Sequence, residues 1–452
     1  MTKQKNNKKK FDFIDLFAGL GGFHLAMESL GGKCVFASEL KEDLRNLYKI
    51  NFPQTKIIVG DITKDENINK VPPHDVLCAG FPCQPFSQAG KRKGFSDEGR
   101  GNLFYSICAI VKRHRPRYIF LENVANLKGH DNGNTWNTIK NELENLNYKV
   151  AEPQILSPHQ FGIPQHRKRI YIVCENKEYG ELEGFEFPKP NKKRCDIRDI
   201  IRSDDIDYIP LKDETRLQLE TWQEFINQCA AHKENIPSFP IWAMEFGATY
   251  EYKDRAPAFQ APEKLLNCRG QFGKLITNKN LDRNLSILPK YARTATTERF
   301  PRWKIRYIEQ NREFYKRNKK WLDEWLKKID SYENSHMKME WNCGQKARKT
   351  LYDKVIQFRA SGIRVKLPTF SPALNLCGTQ IPIIPWIELP NSEEKGRYLT
   401  RREAAILQGM EKLKFGNKEF KLSTTRSFEA LGNAVNVDVV KKIASKMLEE
   451  KK

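Results

Sequence analysis

Short apolar runs alternate with amphipathic stretches over the first 175 residues. The runs at Phe11–Phe17, Lys33–Ser38, Lys56–Val59, Asp75–Ala79, Arg117–Leu121 and Arg169–Cys174 predict strands. Between them, Phe23–Leu30, Glu42–Asn51, Asn102–Lys112 and Trp136–Leu146 space their apolar residues at helical intervals. This alternation predicts an α/β fold built on a doubly wound, mostly parallel sheet. The rhythm breaks near Glu175. From there to about residue 357 the chain is charged and aromatic, punctuated by Pro188, Pro190, Pro210, Pro237 and Pro240, and predicts a second, smaller and irregular domain. Within it, Trp321 and Trp325 stand one helical turn apart and are expected in that domain's own core, with the flanking cations expected to track phosphates. Near the C-terminus Thr400 and Glu403 make a capping box for a helix, and Val435–Leu448 is amphipathic. The expected organisation is a basic, disordered tail over 1–10, a first domain over 11–174, a second over 175–395 with its core at 175–357, and a C-terminal segment over 396–452 that packs back onto the first domain.

Charge changes the picture most. The chain has 452 residues, with 78 Lys and Arg against 56 Asp and Glu, a net charge of +22. Such an excess calls for a polyanionic partner, most simply nucleic acid. Mean hydropathy is −0.67. No apolar run approaches the roughly 18 residues of a membrane span, and the polar, basic N-terminus is no secretory signal. A cytoplasmic protein with reduced thiols is therefore expected. The ten cysteines contain no C-x-x-C pair, which excludes zinc-finger spacing, and no metal site is expected.

The first strand runs into Asp15-Leu16-Phe17-Ala18-Gly19-Leu20-Gly21-Gly22, after which a helix begins. Glycines there let backbone approach a ligand, and a helix N-terminus favours negative charge. Glu39 follows the second strand and suits the hydroxyls of a ribose. Asp61 follows the third and could accept from an adenine amino group. The spacing Gly19, Gly21, Gly22 departs from G-x-G-x-x-G and speaks against a dinucleotide. Each acid alone could equally be a helix cap.

The run ending at Ala79 leads into Gly80-Phe81-Pro82-Cys83-Gln84-Pro85-Phe86-Ser87. Two prolines stiffen the loop. The loop suits either a buried structural thiol or a presented nucleophile. Glu122 ends the next strand, at the same sheet edge if the two strands are parallel. Arg167 and Arg169 follow in Gln165-His166-Arg167-Lys168-Arg169, on one face by alternation. A thiol, a carboxylate and guanidinium groups thus converge.

In this order the motifs resemble one family, the DNA cytosine-5 methyltransferases of the bacterial restriction-modification type. To those quoted are added Glu122-Asn123-Val124, Arg397-Tyr398-Leu399-Thr400-Arg401-Arg402-Glu403-Ala404 and Gly432-Asn433-Ala434-Val435. The resemblance covers about 11–174 and 358–442, and 175–357 falls where the family carries its variable target-recognition domain.

The resemblance implies a Rossmann-like fold and an S-adenosylmethionine cofactor, released as S-adenosylhomocysteine. Its pocket would be formed by Phe17, Ala18, Gly19, Leu20, Gly21, Gly22, Glu39, Asp61, Ile62, Gly80, Pro82, Asn102, Leu103, Asn433 and Val435. It also implies Cys83 as the nucleophile toward cytosine C6. Reaching the thiolate from an ordinary pKa of ~8.5 costs about 2 kcal/mol at pH 7. Glu122 would bind N3 and the exocyclic amine, Arg167 would hold O2, and Arg169 would brace the site. Ser87 to Gly101, with Ser87, Lys91, Arg92, Lys93 and Arg100 toward phosphates, is similar to the family's mobile catalytic loop. The implied partner is double-stranded DNA, with the target base flipped out. The protein would act as a monomer, with any cognate restriction endonuclease working separately. The alternatives are the same chemistry on tRNA, against which the long insert stands, and a non-catalytic binder, against which the full set Cys83, Glu122, Arg167 and Asn433 stands.

Overall fold

Strands covered on both faces read as nearly continuous apolar runs, and the first five runs form the parallel part of an eight-stranded sheet. The computed structural model describes residues 10–82, 103–191, 193–278, 280–293, 297–374, 380–390 and 392–449. Cys83, Ser87, Lys91, Arg92, Lys93, Arg100, Asn102 and the tail before Lys10 lie outside the described residues. The strands are β1 (Phe11–Leu16), β2 (Gly32–Ser38), β3 (Ile58–Val59), β4 (Val76–Gly80) and β5 (Tyr118–Val124). β1 pairs in parallel with β2 on one side and β4 on the other; β2 pairs with β3 and β4 with β5, also in parallel. The chain steps outward from β1 to β3 and then resumes on the opposite flank. Its switch point lies between the carboxyl ends of β1 and β4, where open α/β sheets bind ligands.

The other flank is antiparallel. β6 (Tyr148–Val150), β7 (Gln154–Leu156) and β5 all pair antiparallel with β8 (Arg169–Asn176). Strands of three residues leave no periodic trace in a sequence. The reversal has a consequence for the site: Val124 at the end of β5 faces Arg169 at the start of β8. Residues that precede β8 are thus delivered to the same edge as residues that follow β4 and β5.

The chain divides into two compact units. The first comprises Met1–Arg202, Thr369–Gly378 and Thr400–Lys452, the second Ser203–Pro368 and Thr379–Leu399. β8 continues through the buried Glu175 and Asn176, so the strand crosses position 174 without interruption. In the first unit the capping box of Thr400 and Glu403 opens the helix Arg401–Leu407. Asn436 caps the helix Val437–Leu448 by accepting from the Val439 N–H, and this helix packs along Gly22–Ser29.

The second unit carries regular elements that its sequence pattern did not show. Helices Asp213–Ala231 and Arg302–Ile329 pack together. A six-stranded sheet holds β9 (Ile241–Trp242), β10 (Lys338–Asn342), β11 (Val355–Arg359), β12 (Gly362–Lys366), β13 (Ile383–Glu388) and β14 (Lys395–Tyr398), in the order β14-β13-β11-β12-β10-β9. Trp321 and Trp325 are buried in this unit's core, and the Trp325 indole donates to the carbonyl of Thr221 at 2.8 Å. Among the described residues no helix is long and apolar enough to cross a membrane.

The glycine turn after β1 is set by close packing. Gly21 is left-handed at φ 80, and a Cβ there would meet the Phe52 ring at 2.3 Å. A Cβ on Gly22 would stand 2.5 Å from the carbonyl oxygen of Val435. Gly22→Ala is therefore expected to lower stability by about 1–3 kcal/mol, read as a lower urea midpoint; an unchanged midpoint would show that the Val435 backbone yields freely.

Candidate active site

A cavity of about 400 Å³ opens at the carboxyl edge of the first unit's sheet. Successive strands each contribute their last residues or the turn beyond. Phe17, Ala18 and Gly19 come from β1, Glu39 from β2, and Asp61 and Ile62 from β3. Gly80 and Pro82 come from β4, Glu122 from β5, and Leu103 opens the helix Leu103–His114. Arg167 and Arg169 arrive at the head of β8, and Asn433 and Val435 from the C-terminal segment. Three residues expected at the cavity do not line it. Leu20 is buried in the fold, while Gly21 and Gly22 face the Phe52 ring and the Val435 carbonyl. Their smallness serves packing between elements.

One side of the cavity presents carboxylates that backbone groups keep in place. Glu39 accepts from the N–H of Gly19 at 2.9 Å and from that of Lys41 at 2.8 Å. The acid after β2 thereby holds the glycine turn after β1. Asp61 accepts from both the N–H and the hydroxyl of Thr63, which hold its carboxyl below the usual range. Phe17, just beyond β1, has φ 58. A left-handed aromatic residue is strained, and such strain concentrates at ligand sites.

The other side is charged and largely buried. Gly80 and Glu122 are register partners on parallel β4 and β5, which places the carboxyl beside the start of the Phe81-Pro82 segment. Glu122 is buried, and burial raises its pKa against the lowering effect of Arg169 and then Arg167. Arg169 Nε lies 3.1 Å from Glu122 Oε1, a charge contact outside hydrogen-bond geometry that leaves this oxygen unbonded among the described residues.

The two arginines do different things. Arg167 is 2% exposed; its Nη1 donates to the carbonyl of Gly432 at 2.6 Å and its Nη2 to that of Ala434 at 2.8 Å. Burial, then the neighbouring Arg169, bring its pKa down to about 10, so the group stays charged at neutral pH. Arg169 stands partly open beside Glu122. Alternation along a strand put both on one face, but Arg167 precedes β8, where that rule does not hold.

Further residues escaped the sequence reading. Asn123 donates from its side chain to the carbonyl of Phe81 at 2.8 Å, tying β5 to the segment leading to Cys83. Ser157 accepts from the N–H of Arg167 at 2.9 Å. Arg426 grips Asp43 (Nε to Oδ2 2.6 Å, Nη2 to Oδ1 3.2 Å) and Glu429 (2.6 Å), joining the helices Glu42–Asn51 and Thr424–Asn433 beside the cavity. Only Asn123, within Glu122-Asn123-Val124, carried a sequence signal. Among the described residues no group of three His, Cys, Asp or Glu is placed to hold a metal ion.

A family model described as C-5 cytosine-specific DNA methylase matches residues 11–449. The chain belongs to this family. It is 31% identical to the type II methyltransferase M.AluI of Cellulosimicrobium cellulans over 496 aligned positions, covering 96% of this chain and 91% of that one. It is 46% identical to the type II methyltransferase M.HpaII of Haemophilus parainfluenzae over 235 residues, 52% of this chain and 62% of that one. With M.HhaI of Haemophilus parahaemolyticus, also a type II methyltransferase, identity is 45% over 192 residues, 42% of this chain and 57% of that one. The match thus spans about six tenths of the last two relatives and nearly all of M.AluI.

Two outcomes follow for this member of the methylase family. Arg167→Met should leave the carbonyls of Gly432 and Ala434 without donors and cost about 2–5 kcal/mol, measured by chemical denaturation. For Glu122, burial keeps the proton on to higher pH in the folded chain than in the unfolded one. A raised folded pKa contributes stability below the unfolded pKa that is lost as pH rises through the folded value. Glu122→Gln removes that loss. The variant's melting temperature should therefore gain on the wild type as pH rises from about 4 to about 8; a gap that shrinks over this range would contradict the assignment.

Proposed function

We propose that the protein transfers a methyl group to C5 of a flipped-out cytosine in duplex DNA, through a covalent bond from Cys83 to C6, and protects DNA in a restriction-modification system. The observation that carries this reading is the buried carboxyl of Glu122, with an unbonded oxygen, beside Arg169 in the same cavity as Glu39 and Asp61. The net charge of +22 supports a polyanionic substrate.

Cytosine C5 is a weak nucleophile until the ring is activated. In the proposed reaction the Cys83 thiolate adds to C6 and the ring electrons shift toward C5. Glu122, whose pKa burial raises, donates to N3 as that charge develops. Arg169 supports O2 beside it. Arg167 is a positioning residue, since its donors are committed to Gly432 and Ala434; this exchanges the parts that the resemblance implied for the two arginines. Once C5 has taken the methyl group, loss of the C5 proton to base, return of the N3 proton to Glu122 and expulsion of the thiolate from C6 restore the aromatic ring.

The cavity suits S-adenosylmethionine. Its volume falls within the range of small-ligand sites, Phe17, Ile62 and Leu103 offer apolar walls, and Glu39 and Asp61 offer acceptors for ribose hydroxyls and an adenine amine. When bound, S-adenosylmethionine supplies the electrophilic methyl group. The protein is read as a monomer, with any cognate endonuclease a separate protein.

Base-resolution mapping of 5-methylcytosine in DNA from cells expressing the chain is expected to return methylation at one short recognition sequence. Methylation of tRNA and not of duplex DNA would sink the reading. Cys83→Ser should abolish transfer while duplex binding persists. Arg169→Ala should lower kcat/KM about 100-fold with little change in melting temperature, unlike Arg167→Met.

A further inference from the structure

In the second unit, two ammonium groups lie over one aromatic cluster, with no counter-charge among the described residues. Lys338, on β10, faces Trp242, its register partner on β9, and its Nζ stands 5.5 Å from the ring centres of both Trp242 and Tyr291. Lys304, in the helix Arg302–Ile329, holds its Nζ 5.5 Å from the same Tyr291 ring and 4.4 Å from Phe300. Among the described residues no carboxylate forms an ion pair with either, and what acts on each ammonium is burial and, for Lys338, Lys304 itself. The nearby acids are engaged elsewhere. Glu245 is buried against Arg312, Tyr250 and Tyr291, and Glu340 takes Arg359 at 2.8 Å and Arg364 at 3.3 Å.

Like charges held together without an anion favour a bound anion. Their surroundings favour an extended one. The register of β10, β11 and β12 puts Lys338, Arg359, Arg364 and Lys366 on one face of the sheet with Glu340 as the acid among them, while Met339, Trp341, Ile363 and Val365 turn to the core. Trp303, half exposed, rims the lysine pair. We infer that Lys304 and Lys338 form a phosphate-binding site on this face that takes the sugar-phosphate backbone of the duplex. The inference rests on the proposed DNA substrate. It assigns these lysines to positioning and not to base reading, since phosphate contacts carry no sequence information.

The test is duplex binding by fluorescence anisotropy across a salt series, using the full chain. Lys304→Gln/Lys338→Gln should flatten the slope of log K against log salt by about 2 and weaken binding several-fold at 0.1 M salt. The methylated sequence and the melting temperature should be unchanged. Lys304→Arg/Lys338→Arg should restore the slope. As a control, Lys327→Gln/Lys328→Gln removes two cations already paired with Glu324 and Glu224, and the slope should hold. An unchanged slope in the first variant, an equal loss in the control, or a changed recognition sequence would each overturn the inference. Failure of the wild-type chain to bind duplex at all would instead bring down the proposed substrate.

Discussion

The guanidinium of Arg167 holds the cavity together. It bridges 265 positions of sequence to take the carbonyls of Gly432 and Ala434. A buried cation is tolerable only where dipoles replace its lost water, and two carbonyls supply them. The segment it grips is also the wall that Asn433 and Val435 present to the cavity. That wall is pressed from the far side by Gly22, whose missing side chain leaves room for the Val435 carbonyl. Asn436 then starts the closing helix and donates back to the carbonyl of Leu407. Remove the charge and the C-terminal wall loses the contact that sets its distance from β8.

With the wall in place, one cavity sets three of its carboxylates in two environments. Asp61 is held ionised by donors from Thr63, and Glu39 accepts two backbone N–H groups. Among the described residues Glu122 has no such donors, and burial drives it toward its neutral form. Opposed environments let identical groups serve as acceptor and as proton donor within one site. The separation follows from the sheet, because β2 and β3 lie on one side of the switch point and β5 on the other.

Much of this was legible before any coordinates. The glycine turn, Glu39, Asp61, the Gly80-Phe81-Pro82 segment and Glu122 are each tied to the end of an apolar run, so a strand assignment places them at one sheet edge. The capping box of Thr400 and Glu403 was equally local. What failed to show depended on long-range closure. Gly21 and Gly22 looked like ligand-facing residues because nothing nearby in sequence reveals Phe52 or Val435 behind them. The helix Arg302–Ile329 was hidden by its charge, since its buried stripe of Phe314, Trp321, Leu322 and Trp325 is carried among many solvent-facing lysines and arginines.

The sequence by itself determined the α/β order, the acids at strand ends, the positive charge and the family. Periodicity and covalent adjacency are local, and they survive any arrangement of the chain. Only the tertiary structure decided which arginine stands beside Glu122. Arg167 and Arg169 are two positions apart, with the same charge and nearly the same reach. The carbonyls of Gly432 and Ala434, delivered from the other end of the chain, claim one and leave the other beside Glu122.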